Sequence, residues 1–400
     1  MSARVERPRR MHRTVFQTSE PAFWVFAAFV VYGVIRVANS LADLSGIGSS
    51  GWALAWLLVA LYALPAFVLI YELDLYEREP LSLLIGAFAW GAFAATALSL
   101  DAAGWNEALA MGAGAEVASR WGAVLVTPLV EETLKAAGVV LLALIARDEV
   151  DDVMDGFVYG ALCGLGFAVI EDVVYFVAAF GGSVADVAAG FAARVLASGL
   201  YGHVLYTGLI GMGIGYVVTT REQVSTRRRL GVAAGLATLG VAGHALWNSP
   251  FLASLYPDPP IEGLDAVRLA IAVGVRGAPL VLVVAVAVAL AHRRERRWLA
   301  GALTVAARGD ALTPEEAAVL AAPGGRRRSV RAMRRRAGRR AGTLLARLQR
   351  EQITLAMLVA RAHGDADPDV AAQRSRCRSL RLALDAMPGA GRAAAGAAAA

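Results

Sequence analysis

Eight apolar stretches constrain this chain more than any other feature. Crossing the hydrocarbon core of a bilayer as a helix takes about 20 apolar residues. Stretches near that length run over Ala22–Val37, Trp52–Tyr71, Leu81–Leu100, Gly122–Ala146, Phe157–Phe180, Val195–Val218, Leu230–Trp247 and Leu269–Ala291. In lipid a backbone must satisfy its own polar groups, so each stretch is expected to be helical. With 57% hydrophobic residues among 400, the chain is predicted to be an all-α polytopic membrane protein of about eight spans rather than one large soluble core.

Arginine placement sets the orientation, because loops retained in the cytoplasm carry excess Lys and Arg. Arg4, Arg7, Arg9, Arg10 and Arg13 assign the N-terminal segment to the cytoplasm, and Arg78, Arg147 and the cluster Arg221, Arg227, Arg228 and Arg229 fall in turns on that same side. Both termini are then cytoplasmic, in a multi-pass protein of the cell membrane. The first apolar stretch ends without a small-residue cleavage site and reads as a retained anchor. Cys163 in the fifth span and Cys377 in the tail lie too far apart in this topology to pair.

The chain divides into a basic N-terminal segment (1–21), three spans (22–119), a four-helix block (120–250), an outer loop with the eighth span (251–291), a basic helical tail (292–387) and a low-complexity end (388–400). In the tail, Thr313 is an expected N-cap followed by Pro314 and two glutamates, which predicts a short helix. From Arg326 to about Ala362, apolar residues recur at helical spacing among many arginines. A cytoplasmic helical appendage is the plain reading of this tail. The sharper one is contact with anionic lipid or a partner protein. No nucleic-acid partner is expected.

A charge at the centre of a spanning helix costs about 2.5–3.5 kcal/mol on insertion scales, so charged residues within spans are functional candidates. Glu131, Glu132 and Lys135 lie in span four, Glu171 and Asp172 in span five, His203 with Thr207 in span six, and His244 with Asn248 in span seven. At 1.5 Å rise per residue, Glu131 lies roughly 15 Å in from the outer end of its span. Glu171 falls at a similar depth, and the two histidines also lie in the outer half. A shared polar cavity is the economical explanation. Glu131 and Lys135 are four residues apart and Glu132 and Lys135 three apart, so one ammonium can reach either carboxylate. The pairs Phe167 and Glu171, His203 and Thr207, and His244 and Asn248 each share a helix face.

Among 39 Lys and Arg residues Lys135 is the single lysine, so an ammonium rather than a guanidinium is required there. Gly156, Gly160 and Gly164 in span five, and Gly199, Gly202, Gly208, Gly211 and Gly215 in span six, predict closely approaching helices. Such carboxylates could also serve a proton- or cation-coupled transporter, but no internal repeat with interrupted helices is found. A non-catalytic scaffold recruiting partners through the basic tail is a third reading.

The stretches PLVEETLKAAG (128–138), DGFVYGALCGLGFAVIEDVVYF (155–176), GHVLYTGLIGMGIG (202–215) and GHALWNSP (243–250) resemble the motifs of the PrsW family of intramembrane proteases, relatives of the CAAX prenyl endopeptidases. The resemblance covers about 120–250. It implies hydrolysis of a peptide bond of a membrane-anchored protein, of the anti-sigma-factor kind, with regulated proteolysis in signalling as the expected setting. It also implies Glu131, Glu132, His203 and His244 as the active-site set. In the related CAAX enzymes a histidine stands where this chain has Glu171.

Two chemistries fit. In one, zinc is held by His203, His244 and a carboxylate, expected to be Glu171, with Glu131 or Glu132 as general base. In the other, no metal is present: a glutamate pair activates water while His244 and Asn248 donate to the developing oxyanion. In both, Lys135 orients a glutamate, and Asp172 and Thr207 support the site. Lys135→Arg is therefore expected to abolish activity with expression intact, as measured by proteolysis in membranes. Full activity in that variant would show the lone lysine to be an accident of residue usage.

Overall fold

The computed structural model describes residues 14–45, 50–75, 79–112, 114, 116–117, 121–147, 149–197, 202–249, 251, 266–322, 324–361 and 367–389. Among them all regular structure is helical. The elements are α1 (Pro21–Ser45), α2 (Trp52–Leu73), α3 (Leu81–Ala89), a π-helical turn π1 (Trp90–Ala95), α4 (Thr96–Gly112), π2 (Gly122–Val126), α5 (Thr127–Ile145), α6 (Val153–Ala178), α7 (Val184–Phe191), π3 (Ala192–Ala197), α8 (Gly202–Thr219), α9 (Thr226–Asn248), α10 (Ala266–Ala306), α11 (Pro314–Ala321), α12 (Gly325–Arg361) and α13 (Pro368–Asp385). The chain forms two compact units, Met1–Val288 and Ala289–Ala400.

Among the described residues seven helices are long and apolar enough to cross a membrane. The expected fourth span is helical from Gly122 to Ile145 but falls outside that set, because every stretch of it long enough to cross contains Glu131, Glu132 and Lys135. Of the expected sixth span, Val195–Val218, the first three residues belong to π3, 198–201 lie outside the described residues and α8 starts at Gly202. The last helix does not stop at Ala291 but runs on to Ala306, since the alanines, leucines and arginines that follow are good helix formers. The predicted low-complexity end and the outer loop at 252–265 lie outside the described residues.

In the first unit, Ile35, Leu57, Leu61, Leu64, Leu69, Leu129 and Leu239 are all exposed. An apolar surface of this extent is incompatible with water and matches hydrocarbon. The core is α6, buried along nearly its whole length. Its close partner is α8. A Cβ placed on Gly156, Gly160 or Gly164 would come within 2.2, 2.3 or 2.2 Å of the carbonyl oxygens of Gly211, Thr207 and His203 respectively. Backbone therefore lies on backbone, and the glycine spacing read from the sequence is the register of this interface.

The N-terminus of α6 is fixed by a reciprocal cap. The Asp152 side chain accepts from the backbone of Met154 and Asp155, and Asp155 Oδ2 accepts from the Asp151 and Asp152 amides at 2.8 Å each. Asp74 and Glu79, which flank the α2–α3 turn, gather around Asp155. Tyr159 donates to Glu79, whose carboxyl is pushed well above its ordinary range by burial and by the neighbouring Asp155. The turn is thus tied to the core helix about 24 Å, by helical rise, from Glu171.

In the second unit the predicted Thr313 cap is present, with Glu316 closing the capping box. Glu316 Oε2 also accepts from Gln352 at 3.0 Å and from Arg381, joining α11, α12 and α13. α12 folds back on itself at Gly338, so that Gln349 of its second arm donates to Ser329 of its first at 2.7 Å; the φ of 84° at this turn is open to glycine and costly for other residues. Burial of the Cys377 thiol on α13 pushes its pKa up to about 12.

The glycine contacts make a stability prediction. Gly160→Ala should destabilise the detergent-solubilised protein by about 1–3 kcal/mol through overpacking. Gly235→Ala in α9, where a Cβ would meet nothing within 4 Å, should be neutral or slightly stabilising. Equal melting temperatures for the two variants would contradict the α6–α8 contact.

Candidate active site

Four elements meet at one point. Glu131, Glu132 and Lys135 project from α5, Glu171 and Asp172 from α6, His203 and Thr207 from α8, and His244 from α9. On an ideal helix Glu131 and Glu132 point about 100° apart. Lys135, three and four residues further on, still reaches both: Nζ lies 3.2 Å from Glu131 Oε2 and 2.8 Å from Glu132 Oε1. It is also 2.8 Å from His203 Nδ1 and 3.7 Å from the centre of the Phe167 ring. The aromatic face adds a further favourable contact for a cation held away from water.

Glu132 is the hub. Its Oε1 meets Lys135 and lies 3.1 Å from His244 Nδ1, while its Oε2 accepts from the Thr207 hydroxyl at 2.7 Å. The His244 ring stacks on Tyr206, with ring centres 4.9 Å apart and planes 9° from parallel, and meets the His203 ring edge-on. Both imidazoles are thereby held by packing as well as by hydrogen bonds.

His203 uses its second nitrogen differently. Nε2 lies 2.8 Å from Glu171 Oε2, and that same oxygen receives Arg194 Nη2 at 2.9 Å. Arg194 Nε reaches Asp172 Oδ1 at 2.9 Å, the Tyr62 hydroxyl donates to Asp172 Oδ2 at 2.7 Å, and the guanidinium lies over the Tyr175 ring. Glu171 therefore stands behind His203 in a chain of charges that runs out to π3.

Exposure is graded along this chain. The side chains of Glu132 and Lys135 are fully buried, Glu131 and His203 are each 11% exposed, Glu171 is 20% and Arg194 26%. Exposure therefore falls from Arg194 and Glu171 to the fully buried Glu132 and Lys135. Removing one member of a buried ion pair costs about 3–5 kcal/mol by leaving the other uncompensated, so the network is expected to act as a unit.

Glu131, Glu132, His203 and His244 each offer a donor atom, and all four atoms lie within 4.8 Å of one another. Glu171, the carboxylate expected among the metal ligands, is placed outside this group of four. Asn248, expected to face the reacting groups, donates instead to the Ala123 carbonyl at 2.9 Å and ties the end of α9 to π2. Thr207 and Asp172 both lie in the network.

Arg194, Tyr62 and Tyr206 were not singled out in the sequence. Arg194 had a signal: it is the one basic residue between the fifth and sixth apolar stretches. Tyr62 had none, since a tyrosine in an apolar span is unremarkable until its partner is known. Trp90 in π1 donates to the Leu134 carbonyl at 2.9 Å and fills the space beside Gly138, which seats α5. All three π-helical turns adjoin the site: π1 supports α5, π2 leads into it and π3 carries Arg194. This matches the tendency of such turns to occur where function requires a side chain to be re-aimed.

No curated protein and no solved structure matches the chain. The model of one family does, over residues 79–291, more than half of the chain and every member of the network except Tyr62. With a buried cluster of two glutamates and two histidines inside a multi-pass helical bundle, the chain belongs to the matching family, the PrsW family of intramembrane metalloproteases.

Proposed function

We propose that this protein is a zinc-dependent endopeptidase that cuts a membrane-anchored protein, with Glu131, Glu132, His203 and His244 as the groups around the reacting atoms. The convergence of these four donors within 4.8 Å carries the reading. Two imidazoles and two carboxylates suit zinc, which takes nitrogen and oxygen ligands and tolerates open coordination. Glu132, His203 and His244 would hold the ion with a position left open, and the ion would supply Lewis-acid polarisation of the scissile carbonyl and acidify a bound water.

The chain's own residues divide the work by environment. Glu132 is fully buried and already accepts from Lys135 and Thr207, so it organises the site. Glu131 is the more accessible carboxylate, and the Lys135 ammonium is its partner in the network. It is the better placed general base, taking a proton from the attacking water and returning it to the leaving amine. Lys135 holds the two carboxylates at one point, where an arginine fork would need more room. Glu171 fixes the orientation of His203 through Nε2, and Arg194 fixes Glu171. Such outer partners orient a ligand or reacting group without touching substrate. Substrate of the anti-sigma-factor kind, cut as a step in signalling, is the expected biological setting.

Reconstitution in proteoliposomes with a membrane-anchored reporter tests this. Glu131→Gln and Glu132→Gln should each lower cleavage by about 10²–10⁴-fold, the range for loss of general acid–base catalysis. Retained cutting in both would overturn the assignment. Purified wild type should carry one zinc, and His203→Ala and His244→Ala should lose it. Peptide hydrolysis by a protein free of stoichiometric metal would favour the glutamate-only chemistry.

The positioning role of Arg194 is tested separately. Arg194→Ala should lower kcat about 10–100-fold with KM little changed. Combined with Glu171→Gln it should be no worse than Glu171→Gln alone, because both changes break the same chain. Additive losses would show that Arg194 acts by another route.

A further inference from the structure

The arginines of the second unit are not spread evenly. Residues 289–400 contain 22 arginines and 9 acidic residues, a net charge of +13, against +6 for the whole chain. The rest of the chain is therefore net negative, at −7. From Ala317 to Arg350 there is no acidic residue at all, while 11 arginines occur. Most of that stretch is α12.

At Gly338 α12 folds back on itself into two arms, with Arg331, Arg335 and Arg336 on the first and Arg339, Arg340 and Arg347 on the second. Met333, Ala341, Leu348, Gln349 and Gln352 face inward and are buried, with Gln349 bonded to Ser329 and Gln352 to Glu316. Arg331, Arg335, Arg336, Arg339, Arg340 and Arg347 are exposed, and none of them forms an ion pair among the described residues. These unneutralised guanidiniums are not needed to hold the unit together. Two of its acidic residues are used elsewhere: Glu316 pairs with Arg381 and Asp310 with Arg378. The unit is also tethered. The helix of the last candidate span, Gly277–Ala306, itself enters this unit, and Arg293, Arg294, Arg296 and Arg297 lie on it. The second unit is thus joined to a candidate membrane span through one continuous helix.

We propose that the exposed arginine-bearing surface of the α12 hairpin binds the anionic headgroups of the membrane in which the protein sits. Guanidinium groups match phosphate in charge and in paired donor geometry. A surface carrying five or more of them beside a membrane is attracted to anionic lipid by an increment equivalent to about fivefold per arginine. The attraction is electrostatic and decays within a Debye length, about 8 Å at physiological salt, so it holds only while the surface lies on the lipid. This docking is independent of the peptidase reading.

A fluorophore placed at the exposed Thr343→Cys position, four residues from both Arg339 and Arg347, reports the contact in full-length protein reconstituted in vesicles. The native Cys163 and Cys377 are buried and do not compete for the label. Quenching by nitroxide-headgroup lipid should be at least about twofold stronger in vesicles with about 30% phosphatidylglycerol than in pure phosphatidylcholine, and about 0.5 M salt should reverse the difference.

Replacing Arg335, Arg336, Arg339, Arg340 and Arg347 together by Gln, a helix former of similar length, should abolish the difference. Arg334 is kept, because its stem covers Gly342. Continued protection of Cys377 from thiol reagents shows that the unit remains folded in this variant. Equal quenching in both lipid compositions, or an unchanged lipid dependence in the folded quintuple variant, overturns the proposal. So does binding of a short RNA by the wild type in phosphatidylcholine vesicles with no response to phosphatidylglycerol. Reporter cleavage measured in the same vesicles separates failure of this docking from failure of the peptidase reading.

Discussion

The buried ammonium of Lys135 is the contact on which the rest of the site depends. It has no exposure to solvent, yet it meets Glu131, Glu132, His203 and the Phe167 ring within 3.7 Å. A cation in such a place is tolerable only because two carboxylates are drawn to it, and those carboxylates are tolerable only because of the cation. That mutual requirement holds two adjacent glutamates, which a helix would turn away from each other, at a single point. The same point collects His203 and His244 from two further helices. Were Lys135 absent, the glutamates would repel and the cluster would have no centre.

Such a cluster needs helices that approach closely and do not slide. The α6–α8 interface supplies this through direct backbone contact at Gly156, Gly160 and Gly164. His203 and Glu171 lie at the end of that contact. Their alignment is a consequence of glycine register, and a side chain introduced several turns away would be felt at the imidazole. Tyr206 stacked on His244 does for α9 what the glycines do for α8: it fixes a ring by packing.

Arg194 changes how the outer edge of the site is understood. Glu171 and Asp172 are adjacent acids on α6, and one guanidinium from π3 spans both. Its planar fork suits two acceptors at once. The result is a continuous line of hydrogen bonds from Tyr62 on α2 through Asp172, Arg194, Glu171 and His203 to Lys135 and Glu132. Four separate helices and one π-helical turn share it, and disturbance at any link reaches the imidazole. This gives a physical reason to expect strong non-additivity among substitutions along the line.

Much of this protein was legible in the order of its residues. Apolar runs of about 20 residues can only be helices in lipid, because no water is present to satisfy an open backbone. The charged residues among them stood out because each is costly there, and Glu131, Glu132, Lys135, Glu171, His203, Thr207 and His244 do converge. The spacing of Lys135 from the two glutamates is a local property of one helix, so the sequence contains it. Tertiary structure alone decided the rest. Whether Glu171 or Glu131 completes the group with Glu132 and both histidines depends on which way α6 and α5 face across the bundle, and helical period says nothing about that. Asn248 shares a face with His244 along α9, yet its amide meets the Ala123 carbonyl because π2 passes close to it. Arg194 and Tyr62 acquire their roles from partners 22 and 110 residues away, a separation over which local periodicity holds no information.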